Sequence, residues 1–168
     1  MNTEYLTEIR KLSLTARAAI AVLVCEKYFK IHNLQNKDTA DFLKYMWEWP
    51  VVADFEKWER IRPFLVNFGL GDEISESMAQ ALALESVEQS NFRAVVSGTV
   101  EILWSSFWGA AEDEISYQAL NLVLQTSGLK HYPVLTAFKS STFVEGDGWG
   151  KPISIQDRDF WRESTKYT

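Results

Sequence analysis

Two histidines, one cysteine and a set of scattered carboxylates are the side chains of this chain that could carry chemistry. A helical metal site needs histidine and carboxylate at helix spacing, as in H-E-x-x-H or E-x-x-H. Neither pattern occurs, and neither His32 nor His131 has a carboxylate or cysteine at a ligand spacing. Cys25 closes the run Ala21-Val22-Leu23-Val24-Cys25, so it reads as a core thiol rather than an activated nucleophile. No G-x-S-x-G, G-x-x-x-x-G-K or G-x-G-x-x-G is present, and Gly69-Leu70-Gly71 lacks a third glycine. Carboxylate pairs at helical spacing do occur, such as Glu73 with Glu76 and Glu85 with Glu88. General acid–base work would need one of them desolvated in a cleft, and nothing around them points to one. The expectation is a protein without catalytic residues, without a metal and without a cofactor.

Three further places draw attention. Glu101 is the one acid between Glu88 and Glu112, set among Ser97, Ser105, Trp104 and Trp108; it either faces water or is buried against hydrogen-bonding neighbours. Glu112-Asp113-Glu114 opens a helix, where acids meet the favourable end of the macrodipole. The loop Val144-Glu145-Gly146-Asp147-Gly148-Trp149-Gly150-Lys151 places a tryptophan among glycines. Such a Trp149 is either a plug folded onto the core or an anchor for a partner.

Charge says more by distribution than by its total of −6. Residues 1–71 hold ten Lys/Arg against nine Asp/Glu, and residues 129–168 hold six against five. Residues 72–128 hold Arg93 alone against nine acids: Asp72, Glu73, Glu76, Glu85, Glu88, Glu101, Glu112, Asp113 and Glu114. A field of this sign repels nucleic acid and anionic lipid and attracts basic proteins. A protein partner is therefore expected, with no nucleic acid and no membrane. The candidate partner-binding residues are Asp72, Glu73 and Glu76, then Glu112, Asp113 and Glu114, with Asp147 and Trp149 on the late loop. The same acids would also serve as a solubilising face. The longest apolar run near the N-terminus, Ala18 to Cys25, is far short of the roughly 20 residues that span a bilayer, and a single cysteine makes no internal disulfide. Cytoplasmic location is the expectation, and a monomer is slightly favoured.

The elements that must position these residues are helical. Hydrophobic periodicity predicts helices over about 3–11, 15–33, 38–47, 52–62, 72–88, 90–110 and 112–127. Asp38 is the expected cap of the third, Gly128 the stop of the last, and a short helix is expected from Pro133. Ser154, with Asp157 three residues on, opens a final short helix. Phe92, Val96 and Leu103 lie on one face of the most apolar helix, which its small residues would let a neighbour cover. Strand signals are confined to a marginal pair, residues 142–144 and 152–154. The fold class read from this is all-α: a single-domain multi-helix bundle over residues 1–168, with a largely buried central helix and a loop-rich C-terminal segment.

A small, acidic, helical chain with the Trp-rich stretch Tyr45-Met46-Trp47-Glu48-Trp49-Pro50 and an acidic middle third resembles the immunity proteins of bacterial polymorphic-toxin and contact-dependent growth inhibition systems. The resemblance is one of overall character and transfers no functional residue by position. It implies a cognate toxin domain, basic and nuclease-like, bound one-to-one and neutralised through the acidic surface. The competing reading is a helical ligand-binding or regulatory domain with an aromatic-lined internal pocket, for which ten Phe, six Tyr and seven Trp provide the material. A ligand domain should show an enclosed cavity; an immunity protein should show a filled core and a strongly negative exposed face.

Overall fold

The computed structural model describes residues 3–52, 54–62, 65, 67 and 74–168. Within them run eight α-helices: α1 (Thr3–Arg10), α2 (Leu14–Ile31), α3 (Lys37–Glu48), α4 (Phe55–Glu59), α5 (Glu76–Leu84), α6 (Gln89–Trp104), α7 (Asp113–Thr126) and α8 (Ile155–Ser164). No strand occurs among the described residues; the expected pair at 142–144 and 152–154 is replaced by isolated bridges, Leu12 to Thr142 and Pro133 to Tyr167. Side chains set several of the helix starts. Ser13 Oγ takes the Ala16 amide at the head of α2, and Asp54 takes the Lys57 amide before α4. Ser154 and Asp157 cap each other reciprocally at α8, as their spacing predicts. At α3 the cap is Asn36, paired with Thr39 in the same reciprocal way, and not Asp38. Asn36 has the extended backbone a cap requires, and Asp38 is left in the first turn beside the positive end of the dipole. Gly128 follows α7 with φ of 64°, the left-handed geometry that ends a helix.

The helix expected to be central and largely buried, over 90–110, is α6, but the one enclosed on all sides is α2. Every residue from Leu14 to Cys25 is buried, which happens only when neighbours cover all sides of a helix. Helices α3, α6 and α7 pack against it. Helix α6 lies beside it and buries Phe92, Val96 and Leu103. Helices α6 and α7 approach closely at Gly98, where a Cβ would stand 2.8 Å from Val123 Cγ2 and 3.3 Å from the Ala119 carbonyl. No helix among the described residues is long and apolar enough to cross a membrane.

One charged side chain sits in this core. Arg17, on α2, is 0% exposed, and all five of its N–H donors are used. Its Nε donates to the Ile9 carbonyl, one terminal nitrogen to Ser116 Oγ and the Asp113 carbonyl, and the other to the Arg10 carbonyl and to Asp113 Oδ1 at 2.6 Å. The guanidinium also stands 5.1 Å from the centre of the Phe143 ring. Burial lowers its pKa from the ordinary arginine value, and the hydrogen bond and charge of Asp113 oppose that shift. Arg17 therefore joins the end of α1, the start of α2, the start of α7 and the loop carrying Phe143.

This node turns α7 away from its expected orientation. Periodicity directs Ile115, Ala119, Leu122, Val123 and Thr126 inward; Ala119 and Val123 are buried, yet Ile115 and Leu122 are each 46% exposed. Ser116, Ala119, Leu120, Val123 and Leu124 face the core. The rotation brings Ser116 Oγ and Asp113 onto the guanidinium, and leaving those five donors unmet would cost more than exposing parts of two aliphatic side chains.

Arg17→Met leaves Asp113, Ser116 Oγ and three carbonyls without their donor and should cost about 3–5 kcal/mol in urea unfolding. The neighbouring Arg10–Glu114 pair is open to water, so Glu114→Gln should cost less than about 1 kcal/mol. Equal losses for the two variants would show that Arg17 is not the node described.

Candidate functional site

The loop-rich C-terminal segment folds back over the start of α2. Ser13 donates its amide to the Ser141 carbonyl, and the two serine hydroxyls lie 2.7 Å apart. Gly150, with φ of 86°, is pressed so tightly onto this pair that a Cβ would stand 2.5 Å from Ser141 Oγ and 2.7 Å from Ser13 Oγ. Two residues earlier, a Cβ on Gly148 would lie 2.5 Å from the Cβ of Ala111. The loop thus touches both the N-terminus of α2 and the bend between α6 and α7. Glu145 braces it, accepting the Thr142 hydroxyl and pairing with Lys151 Nζ at 2.8 Å; these contacts hold its carboxyl below the ordinary value.

Between this loop, the 3-10 turn Trp49–Val51 and the α6–α7 bend is a half-open cleft of about 610 Å³. Its walls are aromatic. Trp49 is nearly buried and meets Phe55, Phe107 and Trp149 with ring centres 5.2, 6.1 and 5.4 Å apart. Trp58 supports Trp49 from behind at 4.9 Å and is itself anchored by donating to the Tyr45 carbonyl. At the α6–α7 bend Trp108 stands 71% exposed, edge-on to Phe107. Thr15, Ser106 and Lys151 are the residues with hydroxyl or charged side chains in its lining. Trp149 is neither a sealed plug nor a free anchor: half-buried, it forms one wall.

The predicted partner-binding residues divide by location. Asp72 and Glu73 lie outside the described residues, as does Gly69-Leu70-Gly71. Glu76 is exposed on α5 and accepts from Gln80. The other end of α5 meets the far end of α2, where Glu85 accepts from Asn33. That contact lies at the opposite end of α2 from Arg17, so Glu85 stands apart from Asp113 and Glu114. Glu112, Asp113, Asp147 and Trp149 come together around the α6–α7 bend and the loop. Asp113 is committed to Arg17, and Glu114 pairs with Arg10. Glu112 and Asp147 are exposed and make no ion pair among the described residues.

The remaining chemical candidates are structural. Cys25 is fully buried and burial pushes its thiol well up, so no thiolate forms there near neutral pH. His32 lies against the Tyr28 ring at 4.6 Å. No group of three or more His, Cys, Asp or Glu among the described residues could hold a metal ion. Phe55 and Phe107, which build the cleft, are not among the residues that the sequence singles out. Their one distinguishing signal is that each follows or precedes a break, near Pro50 and Gly109.

No family model matches the chain, and no curated protein and no solved structure does either.

Glu101 is half-buried, with no hydrogen bond to its carboxylate among the described residues, and desolvation raises its pKa. An acid whose folded-state pKa is raised adds stability only below its unfolded value, and loses it as pH rises through the folded one. Glu101→Gln should therefore raise the melting temperature slightly at pH 7, and the difference should vanish below about pH 4, where the wild-type carboxyl is also neutral. A constant difference across that range would mean that Glu101 is fully solvated.

Proposed function

We propose that this chain is a non-catalytic binding protein and that the aromatic cleft is its ligand site. The observation that carries the reading is the cleft itself. About 610 Å³ of half-open space is walled by Trp49, Phe55, Phe107 and Trp149, with a few polar groups at its floor and rim. Small-molecule sites have this size and this mixture of apolar wall and sparse polar groups. The core beside it is built from other rings: Phe29, Phe42, Phe92 and Phe138 are all but completely buried. The ligand that fits is a compact aromatic or apolar molecule, which would stack between Trp49, Phe107 and Trp149.

A second reading has its own support. Trp108 is exposed at the α6–α7 bend, as is Glu112, and Asp147 is exposed on the loop that packs against Ala111 through Gly148. An exposed tryptophan together with exposed acids suits a basic protein partner, in keeping with the resemblance to toxin immunity proteins. Charge reversal at Glu112 and Asp147 should then slow association with a basic toxin-type domain at low salt. An unchanged rate would remove this reading and leave the cleft untouched.

For the first reading, calorimetric titration with 3-methylindole, an uncharged flat aromatic, should show saturable binding. Gly109 lines the cleft, has an ordinary backbone and has open space where a Cβ would stand. Gly109→Trp should therefore fill the site without strain, leave the melting temperature near wild type and weaken binding by more than about tenfold, the loss of roughly 1.4 kcal/mol of binding free energy. Binding that survives in this variant would place the ligand elsewhere.

A further inference from the structure

We infer that the cleft selects aromatic molecules that carry a carboxylate, with the acid group against the first turn of α2 and the ring between Trp49, Phe107 and Trp149. This rests on the cleft being the binding site. The argument comes from the polarity of its lining. Every hydroxyl or charged side chain among its lining residues is a donor with capacity to spare, and no Asp, Glu, Asn, Gln or His side chain lines it.

Thr15 is more than nine-tenths buried and lines the cleft, and its hydroxyl has no hydrogen-bond partner among the described residues. That hydroxyl is free to donate to a ligand acceptor. Ser106 is fully buried; its Oγ accepts the Glu112 amide at 2.8 Å, and its own proton has no acceptor among the described residues. Lys151 Nζ gives one proton to Glu145 and has two more. The indole N–H groups of Trp49 and Trp149 make no hydrogen bond among the described residues, and an indole can only donate.

The backbone repeats the pattern. Thr15 is the second residue of an 18-residue helix, whose N-terminus carries partial positive charge. Ser13 satisfies the amides of Ala16 and Arg17, through its hydroxyl and its carbonyl. The amides of Leu14 and Thr15 find no acceptor among the described residues, although both residues are buried. A buried helix start with unmet donors beside a vacant hydroxyl is an anion site in waiting. Glu112 and Asp147 stand on the solvent side of the neighbouring segments, where water and salt screen them, while the floor donors line the cleft. Aromatic walls, an ammonium group, two hydroxyls and a helix N-terminus, with no carboxylate among the lining residues, suit an aromatic carboxylate.

The test compares two probes of the same ring, indole-3-acetate and 3-methylindole, by calorimetric titration at neutral pH. Wild-type protein should bind the carboxylate at least about tenfold more tightly, the scale of one charge-assisted hydrogen bond. Thr15→Val keeps the shape and removes the hydroxyl. It should lose most of that preference while holding 3-methylindole within about twofold, and Thr15→Ser should restore the preference. Equal wild-type affinity for the two probes overturns the inference and leaves the cleft as a site for neutral ligands. A full preference retained in Thr15→Val overturns the assignment of the floor. Failure of both probes to bind the wild type overturns the cleft reading and this inference together.

Discussion

A fully buried guanidinium must find five acceptors, and in this protein that requirement organises everything around it. Arg17 collects carbonyls from Ile9, Arg10 and Asp113, the Ser116 hydroxyl and the Asp113 carboxylate. An arginine without such partners would not tolerate the interior. Because the acceptors belong to the end of one helix and the start of another, satisfying the guanidinium fixes how α1, α2 and α7 meet. The direction of α7 in turn fixes where the α6–α7 bend comes to rest.

The cleft follows from that placement. The bend supplies Ser106, Phe107 and Gly109, the start of α2 supplies Thr15, and the late loop supplies Trp149 and Lys151. The bend leads into Asp113, Thr15 lies two residues before Arg17, and Gly150, between Trp149 and Lys151, packs on the Ser13–Ser141 pair. The aromatic walls are held by one another, with Trp58 stacked on Tyr45 at 4.2 Å and backing Trp49. Ring-on-ring packing of this kind adds about 0.5–1.5 kcal/mol per pair beyond burial, and it keeps large apolar surfaces at the edge of the fold without collapse into the core.

Much of the helical architecture was legible in the residues because long apolar periods and local capping chemistry are written in neighbouring positions. Ser154 with Asp157, Gly128 after α7, and the buried face of Phe92, Val96 and Leu103 are all of this kind. The cap at Asn36 was missed because Asp38 is an equally good capping residue in isolation, and backbone geometry chooses between them. The inward face of α7 was misread because Ser116 looks polar and Ile115 apolar, and only the distant Arg17 makes the serine the better core residue. The site was legible in part: Trp149 and the acids at 112 and 147 were marked, but the cleft is built by Trp49, Phe107 and Thr15, which lie far apart in the chain and meet through long-range packing. No local pattern reports that a threonine at the start of a helix will lack a partner.

Gly150 has a consequence for how such a protein can diversify. Its left-handed backbone and the serine oxygens against it leave no room for a side chain, so the hinge of the loop is closed to variation. The rim beyond it is open: Phe55, Trp108, Lys151 and Pro152 are all exposed, and exchanging them disturbs neither the serine clasp nor the arginine node. The mouth of the cleft can thereby vary in chemistry while the frame behind it stays unchanged.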